Sequence, residues 1–373
     1  CGAELMNPAG NQRCNNMNGK SHSRRNFIKA TASAAIGMSL ISNPLLSGKN
    51  QRFPANNKRV GIIGLDTSHA IAFTRAFNEA DSDKELGGYR VVAAYPKGSR
   101  TIKSSYERIP GYKEKVKEMG VRIVNSIEEL INQVDFVLLE TNDGRLHLEQ
   151  ALPVLEAGKT MFVDKPVTAS LSDAIVLYDK AEKYNVPIFT SSSLRHGTAN
   201  ARAIARGKLG EVLGASTYSP ATIEETHPDL FWYGIHGVEL LYTVMGKGCK
   251  SVERVYTEGT DMVVGLWQDG RIGTFRGMRQ GKHDYGGFAF GEEGNSTLGE
   301  YQGYRPLLKE IAKFFDTGKP PVSREETLEL LAFMEAADES KRLRGASVNL
   351  GTIWERAREE ARKQRSSDYE IGT

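Results

Sequence analysis

Val60-Gly61-Ile62-Ile63-Gly64-Leu65-Asp66-Thr67-Ser68-His69 decides the fold: an apolar run ends at a glycine and passes into a polar, helix-starting segment. A strand that turns directly into a helix is where a glycine-rich loop cradles a pyrophosphate, and here that pattern is degenerate. Gly64 holds the first glycine position, while Asp66 and His69 stand at the second and third. Free amides at the helix start and the Thr67 and Ser68 hydroxyls still suit a phosphate. A carboxylate at position 66 does not, unless His69 compensates it, so removing Asp66 is expected to help a diphosphate bind.

Outward from this turn, short apolar runs alternate with helix-like segments up to Ser191. The strand candidates are 59–65, 89–95, 121–124, 134–140, 160–164 and 186–190. Ser126 with Glu129, and Ser170 with Asp173, have the spacing of capping boxes and mark helix starts between them. Repeated βαβ units predict an α/β fold with a doubly wound parallel sheet over 58–192. The second strand ends in Tyr95-Pro96-Lys97-Gly98-Ser99-Arg100, with no acidic residue for a ribose 2′-hydroxyl. Lys97, Ser99 and Arg100 favour a 2′-phosphate there, hence NADP over NAD.

From residue 193 the character changes. A helix at 199–208, a strand at 212–219 and a helix at 235–245 precede period-2 segments at 252–256, 262–267 and 272–276. Gln268-Asp269-Gly270-Arg271 supplies hairpin chemistry between the last two. Helices at 307–315, from Ser323 with Glu326, and at 353–364 complete a predicted α+β domain over 193–373 with an open, mainly antiparallel sheet.

With 373 residues the chain exceeds one ordinary core, in keeping with two domains. Its 49 basic and 46 acidic residues nearly balance and form no basic block in the body, which excludes the footprint of a nucleic-acid binder. Ser23-Arg24-Arg25-Asn26-Phe27-Ile28-Lys29, followed by an uncharged, small-residue run to Leu46, resembles a twin-arginine export signal. Residues 1–50 are therefore expected to be an upstream extension and a signal, with the Tat export machinery as a partner and a periplasmic or otherwise exported destination. Cys1 and Cys14 precede this signal, so Cys249 stands alone in the body and no internal disulfide is expected.

The densest motif starts at Glu140 and continues through Thr141-Asn142, His147, Ala157-Gly158-Lys159 and Asp164-Lys165-Pro166. In residues and spacing it resembles the glucose–fructose oxidoreductase and inositol dehydrogenase superfamily (Gfo/Idh/MocA). The resemblance implies a Rossmann-type domain that holds NAD(P) through Gly64, Asp66, Thr67, Ser68, His69, Lys97, Ser99, Arg100, Thr141, Asn142, His147, Asp164 and Lys165. It makes Lys165 catalytic, with Asp164 in place of the family's glutamate. It also implies a second catalytic residue, a histidine on a helix of the later domain, here His236. Trp232 stands where the family has an aspartate, and Glu239, one helical turn after His236, is placed to orient its imidazole.

Arg195, His227, Trp232, Tyr233 and Glu239 are the expected substrate contacts, with the aromatic rings suited to the apolar face of a sugar. Glu224, Glu225, His227 and Asp229 crowd the preceding loop, but their spacing is not that of a metal site, and no metal is expected. The implied reaction moves a hydride to or from a carbinol carbon of a sugar or polyol, with a tightly held cofactor. His236 would take the hydroxyl proton and Lys165 would steady the developing alkoxide. The alternatives are a redox-neutral NAD-dependent glycosidase or lyase, and a sugar-binding protein that has lost the dinucleotide. A homo-oligomer joined through the C-terminal sheet is expected.

Overall fold

The first sheet carries six parallel strands in the order β3-β2-β1-β4-β5-β6: β1 (Arg59–Ile63), β2 (Arg90–Tyr95), β3 (Arg122–Ile123), β4 (Phe136–Leu139), β5 (Met161–Val163) and β6 (Ile188–Phe189). The structure is a computed structural model and describes residues 58–79, 82–282 and 284–371. The expected export signal over 1–50 lies outside the described residues. Every expected strand of this sheet is found, each trimmed at its ends. The apolar runs are buried on both faces, as a parallel sheet covered by helices requires. Strand order reverses between β1 and β4, and at such a switch point the loops leaving neighbouring strands part and open a crevice.

Local capping agrees with the sequence. Ser126 Oγ accepts the Glu129 amide at 3.1 Å and Ser170 Oγ accepts the Asp173 amide at 3.1 Å. The Glu129 carboxylate reaches back to the Asn125 amide at 2.9 Å, one residue outside the usual box.

The second sheet has seven strands: β7 (Val212–Pro220), β8 (Cys249–Tyr256), β9 (Thr260–Trp267), β10 (Ile272–Met278), β11 (Gly286–Gly291), β12 (Gly294–Thr297) and β13 (Val348–Asn349). Their order is β12-β11-β7-β10-β9-β8-β13, antiparallel except for the parallel pair β7 and β10. Sequence periodicity missed β11 and β12, where glycine interrupts the alternation, and the two-residue β13. The helix Ile235–Met245 lies directly on this sheet. Its Gly237 permits the approach, since a Cβ there would meet the Phe275 ring at 2.3 Å. The opposite face carries Val255, Leu266, Ile272, Phe288 and Phe290 as exposed apolar side chains.

The helix Arg305–Thr317 returns to the first sheet rather than staying with the second. Leu307, Leu308, Ile311, Phe314 and Phe315 pack among Phe73, Phe77, Phe162 and Phe189, and Asp316 accepts from Lys58 and Tyr89. The two sheets belong to one compact unit. No helix among the described residues is long and apolar enough to cross a membrane.

Candidate active site

At the C-terminal ends of β1 and β4 the backbones nearly touch. Gly64 has φ +90°, and a Cβ there would lie 2.5 Å from the Thr141 amide nitrogen. Only glycine fits both the conformation and the gap. Asp66 then turns inward and is fully buried. Its Oδ2 accepts the Ser99 amide at 2.6 Å and its Oδ1 the Asn142 amide at 3.0 Å, so one carboxylate ties together the loops after β1, β2 and β4. It does not point at the helix start where a phosphate would sit. The expected pairing of Asp66 with His69 is not formed, because backbone amides already satisfy both carboxylate oxygens. His69 instead places Nδ1 2.6 Å from Asp164 Oδ2 and stacks on Phe73.

Asp164 is buried. Burial alone would raise its pKa, but the His69 ring and Lys165 outweigh it and hold the carboxyl below its ordinary value. Glu140, at the end of β4, is fully buried with no hydrogen-bond partner on either oxygen. Burial, then the like charges of Asp164 and Asp66, push its pKa well above the usual carboxylate range.

Thr67, Ser68, His69 and Asn142 form one side of a cavity of about 240 Å³, and Lys165 and His236 line it as well. Trp232, Tyr233, Tyr285, Tyr301 and Tyr304 make the rest largely aromatic. Lys165 Nζ donates to the Trp232 carbonyl at 3.3 Å and lies 5.3 Å from the centre of the Tyr233 ring. Burial lowers its pKa, and Asp164 and Glu239 restore part of the shift. His236 is held through Nδ1 by Ser192 Oγ at 2.7 Å. Burial, then the charges of Lys165 and His69, push its pKa well below that of a free imidazole, so the ring is neutral at pH 7.

The support of His236 differs from the expected one. Glu239 does not touch the imidazole. Its Oε2 accepts the Ser192 amide at 2.7 Å, while its Oε1 accepts Ser191 Oγ at 2.5 Å and Arg195 Nε at 2.8 Å. Arg195 continues to Glu326 at 2.7 Å. Glu239 and Arg195 thus brace the 191–192 loop from behind instead of contacting substrate. His227 is also withdrawn: buried, its ring 5.1 Å from Trp232 and its Nε2 3.5 Å from Asp143, it backs the cavity wall. Asp229 is drawn to Lys341 and to the fully buried Arg254, which also binds Asp261 and Asp338. That ion cluster anchors the 224–232 loop, and Glu225 remains exposed.

A second cavity of about 240 Å³ lies at the end of β2, lined by Tyr95, Lys97, Ser99, Arg100 and the apolar Ile109 and Ile127. Arg100 is paired there with Glu149 at 2.5 Å. Asp66 bonds to Asn142 of the first cavity and Ser99 of the second, so its stitch lies between them. Thr141 and His147 are internal braces: His147 Nε2 faces the Thr141 carbonyl at 2.6 Å and Nδ1 the Val167 carbonyl at 3.1 Å, while Thr141 Oγ1 donates to Gln150. Sequence reasoning missed Ser192 and the tyrosines 285, 301 and 304. The tyrosines flank a glycine-masked strand pair, and no local spacing links them to residue 236.

Residues 58–192 match the Gfo/Idh/MocA family, described as an oxidoreductase family with an NAD-binding Rossmann fold. By that match this stretch is similar to the NAD-binding Rossmann unit of that family. A 1,5-anhydro-D-fructose reductase from Ensifer adhaerens is 34% identical over 107 residues, 27% of this chain and 32% of that protein. The chain spans about a third of the length of the first curated relatives that it matches. The scyllo-inositol dehydrogenase of Lactobacillus casei, solved with NAD(H) and scyllo-inositol, superimposes with a TM-score of 0.64 at 14% identity, over 79% of this chain and all 100% of that one. An oxidoreductase from Agrobacterium radiobacter, solved with NAD+, L-tartaric acid and magnesium, gives 0.62 at 15% identity, over 80% and 100%. These likenesses extend the shared fold across both sheets.

Proposed function

We propose that the protein is an NAD(P)-dependent oxidoreductase acting on a carbinol carbon of a sugar or polyol. The observation that carries this reading is the pairing of a buried lysine and a buried neutral histidine on one aromatic cavity at the switch point of a Rossmann sheet. The residues fit a dinucleotide: the start of the helix Ser68–Asn78, with the Thr67 and Ser68 hydroxyls, suits the diphosphate, and Asp66 is turned away from it. The β2 cavity would take the adenosine end, with Lys97 and Ser99 supporting NADP over NAD.

When bound, the nicotinamide supplies the hydride acceptor or donor. The rest falls to the chain. His236, fixed at Nδ1 by Ser192, presents its other nitrogen to take the substrate hydroxyl proton. Lys165, anchored on the Trp232 carbonyl, donates to the same oxygen as negative charge develops there. Tyr233 and Trp232 stack on the apolar face of the ring and exclude water. Arg195, Glu239 and His227, expected as substrate contacts, serve here as supports.

Mass spectrometry of the ligand released on denaturing the purified protein tests the reading: NADP or NAD in near-stoichiometric amount is expected, and a nucleotide-free protein that also binds none added would overturn it. Export rests on the Arg24-Arg25 signal, so changing both arginines to lysine should retain the protein in the cytoplasm. Fractionation showing undiminished periplasmic protein would refute that. The outward face of the second sheet, with Val255 68% and Ile272 54% exposed, supports a homo-oligomer formed through it.

A further inference from the structure

Behind the side of the cavity that His69 helps to form lies a cluster that this mechanism does not use. Glu140 ends β4, Asp164 follows β5 and His69 starts the helix after β1, and these three strands are neighbours in the sheet. One oxygen from each carboxylate and one ring nitrogen of His69 lie within 4.8 Å of one another. Asp66, the other acid nearby, is outside the set because the Ser99 and Asn142 amides occupy both its oxygens.

Glu140 is the second, independent observation. It is fully buried, and neither of its oxygens reaches a donor among the described residues. Buried polar groups in folded proteins are almost always partnered, and a carboxylate more so, because its desolvation must be offset. The nearest charged oxygens have the same sign. His69 Nδ1 and Asp164 Oδ2 already share a 2.6 Å contact, but neither hydrogen-bonds Glu140, whose carboxylate is left unpartnered at one corner of a cluster narrow enough for a single ion.

We propose that His69, Glu140 and Asp164 bind a divalent first-row transition cation. Ligand atoms at about 2.0–2.2 Å from such an ion are at most roughly 4.4 Å apart, so small side-chain rotations close the site. One imidazole nitrogen with two carboxylate oxygens suits zinc or manganese better than magnesium or calcium, which favour all-oxygen shells. The ion would neutralise two buried carboxylates beside Lys165. Sequence spacing carries no metal signature because the donors stand 71 and 24 residues apart, at positions 69, 140 and 164, and meet only across strand ends. The site stands whether or not the proposed reaction does, since metal content is read without turnover.

The test compares the purified full chain with its Glu140→Gln variant, an isosteric neutral change that keeps the packing. Each is stripped with chelator, re-equilibrated separately with zinc, manganese and magnesium, dialysed and analysed by elemental mass spectrometry and calorimetric titration. The expected result is about one zinc or manganese per wild-type chain, with a melting temperature raised by that metal, and at least tenfold weaker binding in Glu140→Gln. Binding no tighter in the wild type than in the variant, or none at all, overturns the proposal and leaves a proton shared within the cluster. Melting curves without metal show that both proteins are folded.

Discussion

Two buried polar clusters meet at the cavity lined by Lys165 and His236, and they are finished to different degrees. Behind His236, the chain Ser192–Glu239–Arg195–Glu326 gives both oxygens of Glu239 and Nδ1 of His236 a partner, and leaves only Arg195 Nη2 of its charged groups without one. Below Lys165, Asp66 is equally well satisfied by two amides, while Glu140 beside it has none. A completed network fixes geometry, because any rearrangement would orphan a buried group. The incomplete one, with both Glu140 oxygens unpartnered, is the basis of the proposed cation. The proposed catalytic pair sits between them, with His236 positioned by the first and Lys165 adjoining the second.

The sharpest way to break this contrast is to remove the pair itself. Lys165→Ala and His236→Ala should each lower turnover by about 10²-fold or more while leaving bound nucleotide in place. Near-normal kcat in either variant would take that residue out of the reaction.

The completed stitch comes next. Asp66→Gly removes the acceptor of two buried amides and should cost about 2–4 kcal/mol, seen as a melting temperature lower by several degrees. The sequence alone suggests the reverse, a gain in dinucleotide retention from restored glycine. A variant that melts like the wild type and holds nucleotide more tightly would restore that view.

Acid probes the buried histidines around the cavity. His196, whose Nε2 lies 3.2 Å from Ser191 Oγ in the same loop region, has its pKa lowered to about 3 by burial first and then by neighbouring positive charge. Burial also brings His227 down to about 4, and His236 shifts in the same direction. Between these values and the free-imidazole value of about 6.5 the unfolded chain binds more protons than the folded one, so stability is full above pH 6.5 and falls as pH drops. Each such histidine contributes on the order of 1–2 kcal/mol of acid destabilisation between pH 7 and pH 5, opposed by the raised carboxyls of Glu140 and Asp338, so the rings are followed one by one by NMR and should stay neutral over that range. Imidazole signals that titrate near pH 6.5 would mean that these rings are protonated in the fold.

The smallest effect expected is at Ser192. Ser192→Ala frees Nδ1 of His236 and should reduce kcat by about tenfold with little change in KM, since one neutral hydrogen bond is worth about 1 kcal/mol. A shifted acid limb of the kcat profile would separate positioning of the imidazole from mere loss of packing.

The chain's local chemistry made much of this legible. Gly64, the six apolar runs, the caps at Ser126, Ser170 and Ser323, and the helix that starts before His236 are all set by interactions within a few residues, which sequence spacing records directly. Lys165 could be placed for the same reason, as it ends a strand beside a proline. What only the tertiary structure decided is how distant segments satisfy each other's buried groups. Asp66 turned inward because two amides from other loops were waiting, and Glu239 turned to Ser192 and Arg195 rather than to the imidazole one turn away on its own helix. The helix Arg305–Thr317 crossed back to the first sheet because its phenylalanines complete that core. Which partner a buried polar or aromatic side chain finds depends on positions far apart in the chain, and burial makes that choice expensive to change.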